Sequence, residues 1–337
     1  MVRIIGIWKM RHYYLLALIS ACLLSAGCSN HSKDNQTVAE KSAVAMPAFD
    51  CDSAYGFVAT QTAFGPRVPG SDAHDQCALF LLEKLSLFCD TALVQTFPAV
   101  TYDGKHYTGK NIIGSFSPEK SERVVLSSHW DSRPFADHDA KSVNLNKPID
   151  GANDGASGVG VLLEAARQLQ MQRPEIGIDI VFFDLEDYGP KEGEDTPAGD
   201  WWGLGSQYWA QHLHRPGYTA RYGILLDMVG AANARFYQES FSVRDAQPVV
   251  AKVWSAAYEL GHGDYFVNQP GGIITDDHYY VNKYAPFKMI DIIHYDRLSG
   301  TGFPTTWHTL NDNVQNIDKT TLGIVGTTVL HVIRNEK

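Results

Sequence analysis

Residues 178–189 read IDIVFFDLEDYG, and this stretch decides the fold. Ile178 to Phe183 is a short, mostly apolar run rich in β-branched and aromatic side chains, the pattern of a buried strand. It stops abruptly at acids: Asp184, then Glu186 and Asp187. Adjacent carboxylates at the mouth of a core strand are costly unless paired or bound to a metal. The alternative is a solvated acidic turn. The same design recurs on either side. Arg123 to Ser128 (RVVLSS) is another β-rich run, followed by His129 and Asp131. Ile224 to Met228 (ILLDM) carries Asp227, and Phe287 to Ile293 is strand-like. Between these runs, Asp154 to Gln170 places Val159, Leu162, Leu163, Ala166 and Leu169 at helical spacing. Pro248 to Leu260 is helical with Gly261 as a C-cap, and Ile317 to Ile333 closes the chain as a helix with Asp318 as N-cap. Strands alternating with helices predict an α/β fold, a largely parallel sheet covered on both faces. Ligands of such sheets bind beyond the carboxyl ends of the strands, which is where the acids and the imidazole gather.

The chain has 337 residues, enough for a large core, with 44% hydrophobic and 20% charged residues. The formal net charge is −10 and there is no long basic run outside the extreme N-terminus, so no nucleic-acid partner is expected. Seven Trp and sixteen Tyr exceed what a core usually needs, and some are expected to line a pocket. Lys9, Arg11 and His12 precede an apolar run from Tyr13 to Gly27, the form of an export signal and shorter than the ~20 residues of a spanning helix. Leu24-Ser25-Ala26-Gly27-Cys28 resembles a bacterial lipoprotein box. The expectation is therefore a signal peptide over 1–27, a lipid on Cys28, a flexible tether over 28–46 and one catalytic domain over 47–337, with the product exported to the periplasm and membrane-anchored. Cys22 ends a competing box, and an ordinary cleaved signal without lipid is the third reading. With Cys28 lipidated, Cys51, Cys77 and Cys89 remain, an odd number that leaves at least one free thiol.

Five further stretches carry candidate chemistry. In Ser128-His129-Trp130-Asp131-Ser132 the His and Asp point the same way on an extended chain, so one can ligate a metal while the other fixes its ring; a structural role is the alternative. Asp150 to Gly158 (DGANDGASG) is a glycine-rich turn running into a helix, where Asp154 is either a metal ligand or a helix N-cap. Glu186 and Asp187 suit a division of labour, one ligating and one transferring protons. Asp227, inside an apolar run, needs a partner, whether metal or backbone. Thr275-Asp276-Asp277-His278 and Thr306-Trp307-His308-Thr309 complete the set. There is no HExxH, nucleophile elbow or phosphate loop.

Taken in order, FGPRVPG at 64–70, HWDS at 129–132, GANDGASG at 151–158, FFDLEDYG at 182–189, LLDMVGA at 225–231, DDH at 276–278 and WHT at 307–309 resemble the M28 metallopeptidase superfamily. Within it the chain resembles the animal-type glutaminyl cyclases from about residue 50 onward. The resemblance implies a three-layer αβα fold with a twisted, mostly parallel mixed central sheet, zinc-aminopeptidase-like. It implies one zinc ion on Asp154, Asp187 and His308, with Glu186 moving protons and Asp227 joined to Asp276 as a carboxylate pair. Trp307, with Trp201 or Trp202, forms the substrate pocket. The implied reaction converts N-terminal Gln of peptides or proteins to pyroglutamate with release of ammonia. The aminopeptidase version of the site binds two zinc ions, adding His129 and Asp227 as ligands with Asp154 bridging. All five ligand types are present, so a ligand count does not separate the two. Where the animal enzymes carry Glu-Glu, this chain has Glu186-Asp187, a combination similar to that of bacterial members of the cyclase group.

Overall fold

The computed structural model describes residues 48–337. The signal, the tether and the lipidation cysteines expected at the N-terminus lie outside the described residues. Two helices come first, α1 (Cys51–Ala63) and α2 (Asp72–Phe88), then a hairpin of β1 (Thr91–Val100) and β2 (His106–Phe116). The alternating part follows: β3 (Arg123–His129), α3 (Ala156–Met171), β4 (Gly177–Phe183), α4 (Leu204–Gln211) and β5 (Tyr222–Asp227). Then come β6 (Phe236–Gln238), α5 (Ser240–Glu259), β7 (Phe266–Pro270), α6 (Asp277–Tyr284), β8 (Met289–Ile293) and α7 (Lys319–Arg334).

The six-stranded main sheet runs β1-β2-β4-β3-β5-β8, and β6 with β7 forms a small separate sheet. β4, β3, β5 and β8 are parallel neighbours, whereas β2 is antiparallel to both β1 and β4. The sheet is therefore mixed, as expected. The antiparallel hairpin had no counterpart in the sequence reading. β1 is an edge strand with much of its length exposed, so its pattern is weak, and the edge position accommodates Pro98.

Side chains alternate across each strand and so feed two cores. Val124, Leu126, Ile178, Ile180, Phe182, Ile224, Leu226, Ile290 and Ile292 face a large core shared with α1, α2, α3, α5 and α7. Ile113, Val125, Val181, Phe183, Leu225 and Met289 face the other side, covered by Trp209 of α4 and Val281 of α6. This gives three layers, αβα. Two glycines let α3 pack close: a Cβ at Gly158 would lie 2.3 Å from Leu226 O, and one at Gly160 would lie 2.8 Å from Ala54 O.

Element ends differ from the sequence reading where the backbone departs from regular geometry. α3 starts at Ala156 because Gly155 has φ 92°, so Asp154 stands before the helix and its side chain does not cap it. α5 starts at Ser240, well before Pro248, with the Glu239 carboxylate capping its first turn. The chain kinks at Ala246, two residues ahead of that proline, which hid the first turns from a periodicity reading. Asp318 caps α7 as expected, accepting from Thr321 N, and Gly261 follows α5 with φ 79°. Cys51, Cys77 and Cys89 are free thiols, the last two buried. Among the described residues no helix is long and apolar enough to cross a membrane.

Candidate functional site

β3, β4 and β5 are parallel, so their carboxyl ends meet on one edge of the sheet. His129 ends β3 and Asp227 ends β5, while Glu186 and Asp187 follow β4 after a short turn. That turn is held in two ways. Leu185 sits at φ 55°, a left-handed conformation that costs a non-glycine residue about 1 kcal/mol or more. The Asp131 carboxylate then accepts from both Glu186 N, at 3.1 Å, and Asp187 N, at 3.2 Å. Met228 (φ 48°) and His308 (φ 53°) are also left-handed, so three of the described non-glycine residues with positive φ lie in or next to the site. Such outliers gather where surrounding structure fixes a working geometry.

Asp154 is positioned from below. Arg67 is buried and donates through its guanidinium to Trp130 O (2.8 Å), Asp150 O (2.5 Å) and Gly151 O (2.8 Å), pinning the glycine-rich turn. Asp312 accepts from Asn153 N (2.7 Å) and Asp154 N (3.0 Å), tying the turn to the loop that carries His308.

Two trios of ligand atoms share Asp154. In each, one atom per residue lies within 4.8 Å of the others: Asp154, Asp187 and His308 in the first, His129, Asp154 and Asp227 in the second. His308 Nε2 is 3.2 Å from Asp187 Oδ1 and 3.6 Å from Asp154 Oδ2. His129 Nε2 is 3.1 Å from Asp154 Oδ1 and 3.2 Å from Asp227 Oδ1. Asp154 Oδ2 and Asp187 Oδ2 are buried with no donor among the described residues. Two acids and an imidazole with unpaired buried oxygens are what a zinc ion needs, so the first trio fits one. The ring of His308 is backed as ligand histidines usually are, with Nδ1 3.4 Å from Asp137 Oδ1. Asp137 is gripped by Arg133 through two bonds of 2.7 Å, and Arg133 also donates to Asp187 O and Gly189 O.

The trios open into a cavity of about 280 Å³. Asp154, Glu186, Asp187, Asp227, Asp276, Trp202, Trp307 and His308 all line it, with Ile273, Ile274 and Phe303 on its apolar side. The Trp307 ring stacks on the His308 ring at 3.7 Å. Trp202 lies nearly parallel to the same ring at 6.4 Å, with the Arg133 guanidinium 4.9 Å from its centroid. Of the two indoles expected from the 201–202 pair, Trp202 is the pocket residue. Trp201 turns away, donating to Pro197 O at 2.8 Å and packing against the cluster of Phe97, Ala99, Tyr102, Leu185 and Tyr188.

Burial pushes Glu186 well above the usual carboxylate range, and the charges of Asp276, Asp187 and Asp277 add to it. Burial likewise brings Asp227 up to about 7, with His129 pulling the other way and Asp154 adding. Against the cost of burial, His129 and His308 hold Asp154 below its ordinary value. A carboxyl poised high beside ionised neighbours is the arrangement of a proton-transfer group.

Asp227 turns Oδ1 to His129 at 3.2 Å, and Asp276 lies in the same cavity wall, where its charge helps to raise Asp227. The sequence reading missed Asp137, Arg133, Asp312 and Arg67. Asp312 was within sight, four residues after His308, but nothing local marks it out.

Fold and site together define an αβα enzyme with acids and an imidazole placed to hold a metal ion. Residues 111–333 match the model of peptidase family M28. A glutaminyl cyclase from Tannerella forsythia is 54% identical, with a TM-score of 0.84 over 86% of this chain and 100% of that one. A Zn-dependent exopeptidase from Parabacteroides distasonis is 53% identical, with a TM-score of 0.85 over 87% and 100%. The glutaminyl-peptide cyclotransferase of Bos taurus is 29% identical over 302 residues, covering 76% of this chain and 74% of its own length. The chain belongs to peptidase family M28, in the branch that holds bacterial glutaminyl cyclases.

Proposed function

We propose that the chain is a zinc-dependent glutaminyl-peptide cyclotransferase, converting N-terminal glutamine of peptides or proteins to pyroglutamate with release of ammonia. The observation that carries this reading is the cavity: two indoles, Trp202 and Trp307, flank the Asp154, Asp187 and His308 trio, while Asp276 is buried in the same wall. A small aromatic slot suits a flat amide side chain, and it keeps out water that the reaction does not use.

Asp154, Asp187 and His308 would hold one zinc ion, which would supply Lewis-acid polarisation of the side-chain amide carbonyl. The protein does the rest. Trp202 and Trp307 hold the glutamine side chain so that the free α-amine lies against its own amide carbon, and proximity supplies much of the rate. The amine nitrogen bonds to that carbon and the carbon–NH₂ bond breaks. Glu186 takes a proton from the amine and returns it to the departing nitrogen, which leaves as ammonia. Asp227 and Asp276 accept hydrogen bonds from the amine and orient its lone pair. An export signal with a lipid on Cys28 fits a substrate pool of exported proteins whose trimming exposes glutamine.

A second reading, an aminopeptidase with two zinc ions, is favoured by one observation, the convergence of His129, Asp154 and Asp227 within ligand distance of one another. Incubation with a Gln-Xaa dipeptide separates the two. Cyclisation yields ammonia and the intact pyroglutamyl dipeptide. Free glutamine and free Xaa would establish the peptidase and overturn the cyclase.

A further inference from the structure

Beside the zinc cavity lies a second cavity of about 490 Å³ that the cyclisation scheme leaves without a role. The two share one wall, made by the end of β8 and the loop before His308. Ile293, Phe303 and Trp307 line the zinc cavity, whereas their chain neighbours His294, Pro304, Thr305 and Thr306 line the second one. Tyr295 belongs to both sides: it packs against Met228, Ile274 and Ile293 and lines the second cavity.

Two arginines give this cavity its charge. Arg235 stands before β6, and its carbonyl accepts from Tyr295 N at 3.0 Å, which ties it to the exit of β8. Arg297 lies over the Tyr237 ring at 4.1 Å and donates to Gln269 Oε1 (2.8 Å) and Pro270 O. Both are exposed, and among the described residues neither is ion-paired with an acid. Asp296, the one acid in the lining, is engaged by its own turn, accepting from Leu298 N at 2.9 Å. Such a balance is unexpected in a chain of formal net charge −10. His294 adds a buried polar atom. It is 8% exposed, and its Nδ1 has no hydrogen-bond partner among the described residues, a state in which buried polar atoms are rarely left. Burial pushes His294 down to about 4, with Asp296 pulling the other way and Arg235 adding to the fall, so the ring is neutral and offers one N–H.

Two cations and a neutral imidazole suit a carboxylate, and the substrate itself can bring one. A glutamine held between Trp202 and Trp307 leaves the rest of its peptide to run out past the shared wall. An extended chain advances about 3.3 Å per residue, so about two to four residues cross the roughly 10 Å of one packed layer. We propose that this cavity is a subsite for a carboxylate of the substrate peptide, bound by Arg235 and Arg297 about two to four residues after the N-terminal glutamine. The carboxylate is a Glu or Asp side chain, or the C-terminus of a short peptide. The proposal rests on the cyclase reading of the zinc cavity.

The test compares kcat/KM within pairs of Gln-peptides. One arm sets Glu against Gln at the fourth residue of amidated peptides. The other sets a free against an amidated C-terminus on a neutral four-residue peptide. An exposed ion pair contributes up to about fivefold, so the wild type is expected to favour the carboxylate by about three- to tenfold in at least one arm, chiefly through KM. The arm that responds says whether side chain or terminus is bound. Combining Arg235→Gln with Arg297→Gln is expected to bring the ratio to about one. Arg235→Glu, which leaves Arg297 on Gln269, is expected to reverse the ratio in favour of Lys at the same position, a change that a merely structural role would not produce. A wild-type ratio near one in both arms, or a ratio kept in both variants, would overturn the subsite. So would an equal preference for Glu placed at the tenth residue, which would mark a general field. If the wild type releases no ammonia from any of these peptides, the cyclase reading fails on its own. Binding of the labelled acidic peptide to wild type and to the double variant then still decides the subsite, and equal affinity would overturn it.

Discussion

Glu186 and His308 show what single residues contribute. Glu186 is buried among Asp187, Asp276 and Asp277, so its proton is held more tightly than an ordinary carboxyl's. Glu186→Gln keeps the shape and removes the base. It is expected to lower kcat by about 10²–10⁴-fold while zinc content stays at the wild-type value, and an active variant with wild-type zinc would displace Glu186 from its role. His308 depends on Asp137 behind it, at 3.4 Å. Partners of ligand histidines are worth roughly 10–100-fold in metal affinity, so Asp137→Ala is expected to weaken zinc binding by that factor in a chelator competition, with far-UV circular dichroism unchanged. At this scale the sequence was legible wherever chemistry is local. Asp154, Asp187, Glu186, Asp227, His308 and Trp307 were read from short motifs and line one cavity. Arg133, Asp137 and Asp312 were not read, because each acts across tens to hundreds of residues of chain on a group that its own neighbours do not announce.

Elements deliver those residues. Parallel strands put His129 and Asp227 on one edge by direction alone, and the alternation of strands and helices made that edge foreseeable. α3 presents Asp154 because Gly155 breaks the helix before it and Gly158 lets it sit against β5. A Cβ at Gly158 meets the backbone oxygen of Leu226 at 2.3 Å, with Ser128 Oγ 2.4 Å away. Gly158→Ala is therefore expected to lower stability by about 1–3 kcal/mol, the usual cost of overpacking, seen as a lower denaturation midpoint with an unchanged m-value. An unchanged midpoint would mean that α3 has room to shift. The parallel strands β3, β4, β5 and β8 and the helices α3 and α7 were readable because burial on one or both faces imposes a period. The edge strand β1 and the short β6–β7 pair were not, since exposed or three-residue strands carry little pattern.

The whole molecule concentrates acid at one edge, and this shapes its response to pH. Burial raises Asp227 and Asp312 from 3.8 to about 7. In the folded, zinc-free chain these groups hold protons that the unfolded chain has released, so their stabilising contribution is complete below about pH 4 and is lost as pH rises through 7. His129, raised by its carboxylate neighbours, has the same sign. The chelated protein is thus expected to melt at a higher temperature at pH 5 than at pH 8, and Asp312→Asn to flatten that slope. A melting temperature that rises from pH 5 to pH 8 would show that Asp227 and Asp312 are ionised in the fold without cost. Metal relieves the same excess of negative charge, which makes zinc number the sharpest question about the molecule. Asp154 stands between two trios, and only one of them has the aromatic walls. The decisive measurement is zinc titration of the chelated enzyme while ammonia release from an N-terminal Gln peptide is followed. Full activity at one equivalent, lost in Asp187→Ala, is the expected result. Activity that keeps rising to a second equivalent, or ammonia release that needs no zinc, would contradict a single-zinc cyclase built on Asp154, Asp187 and His308.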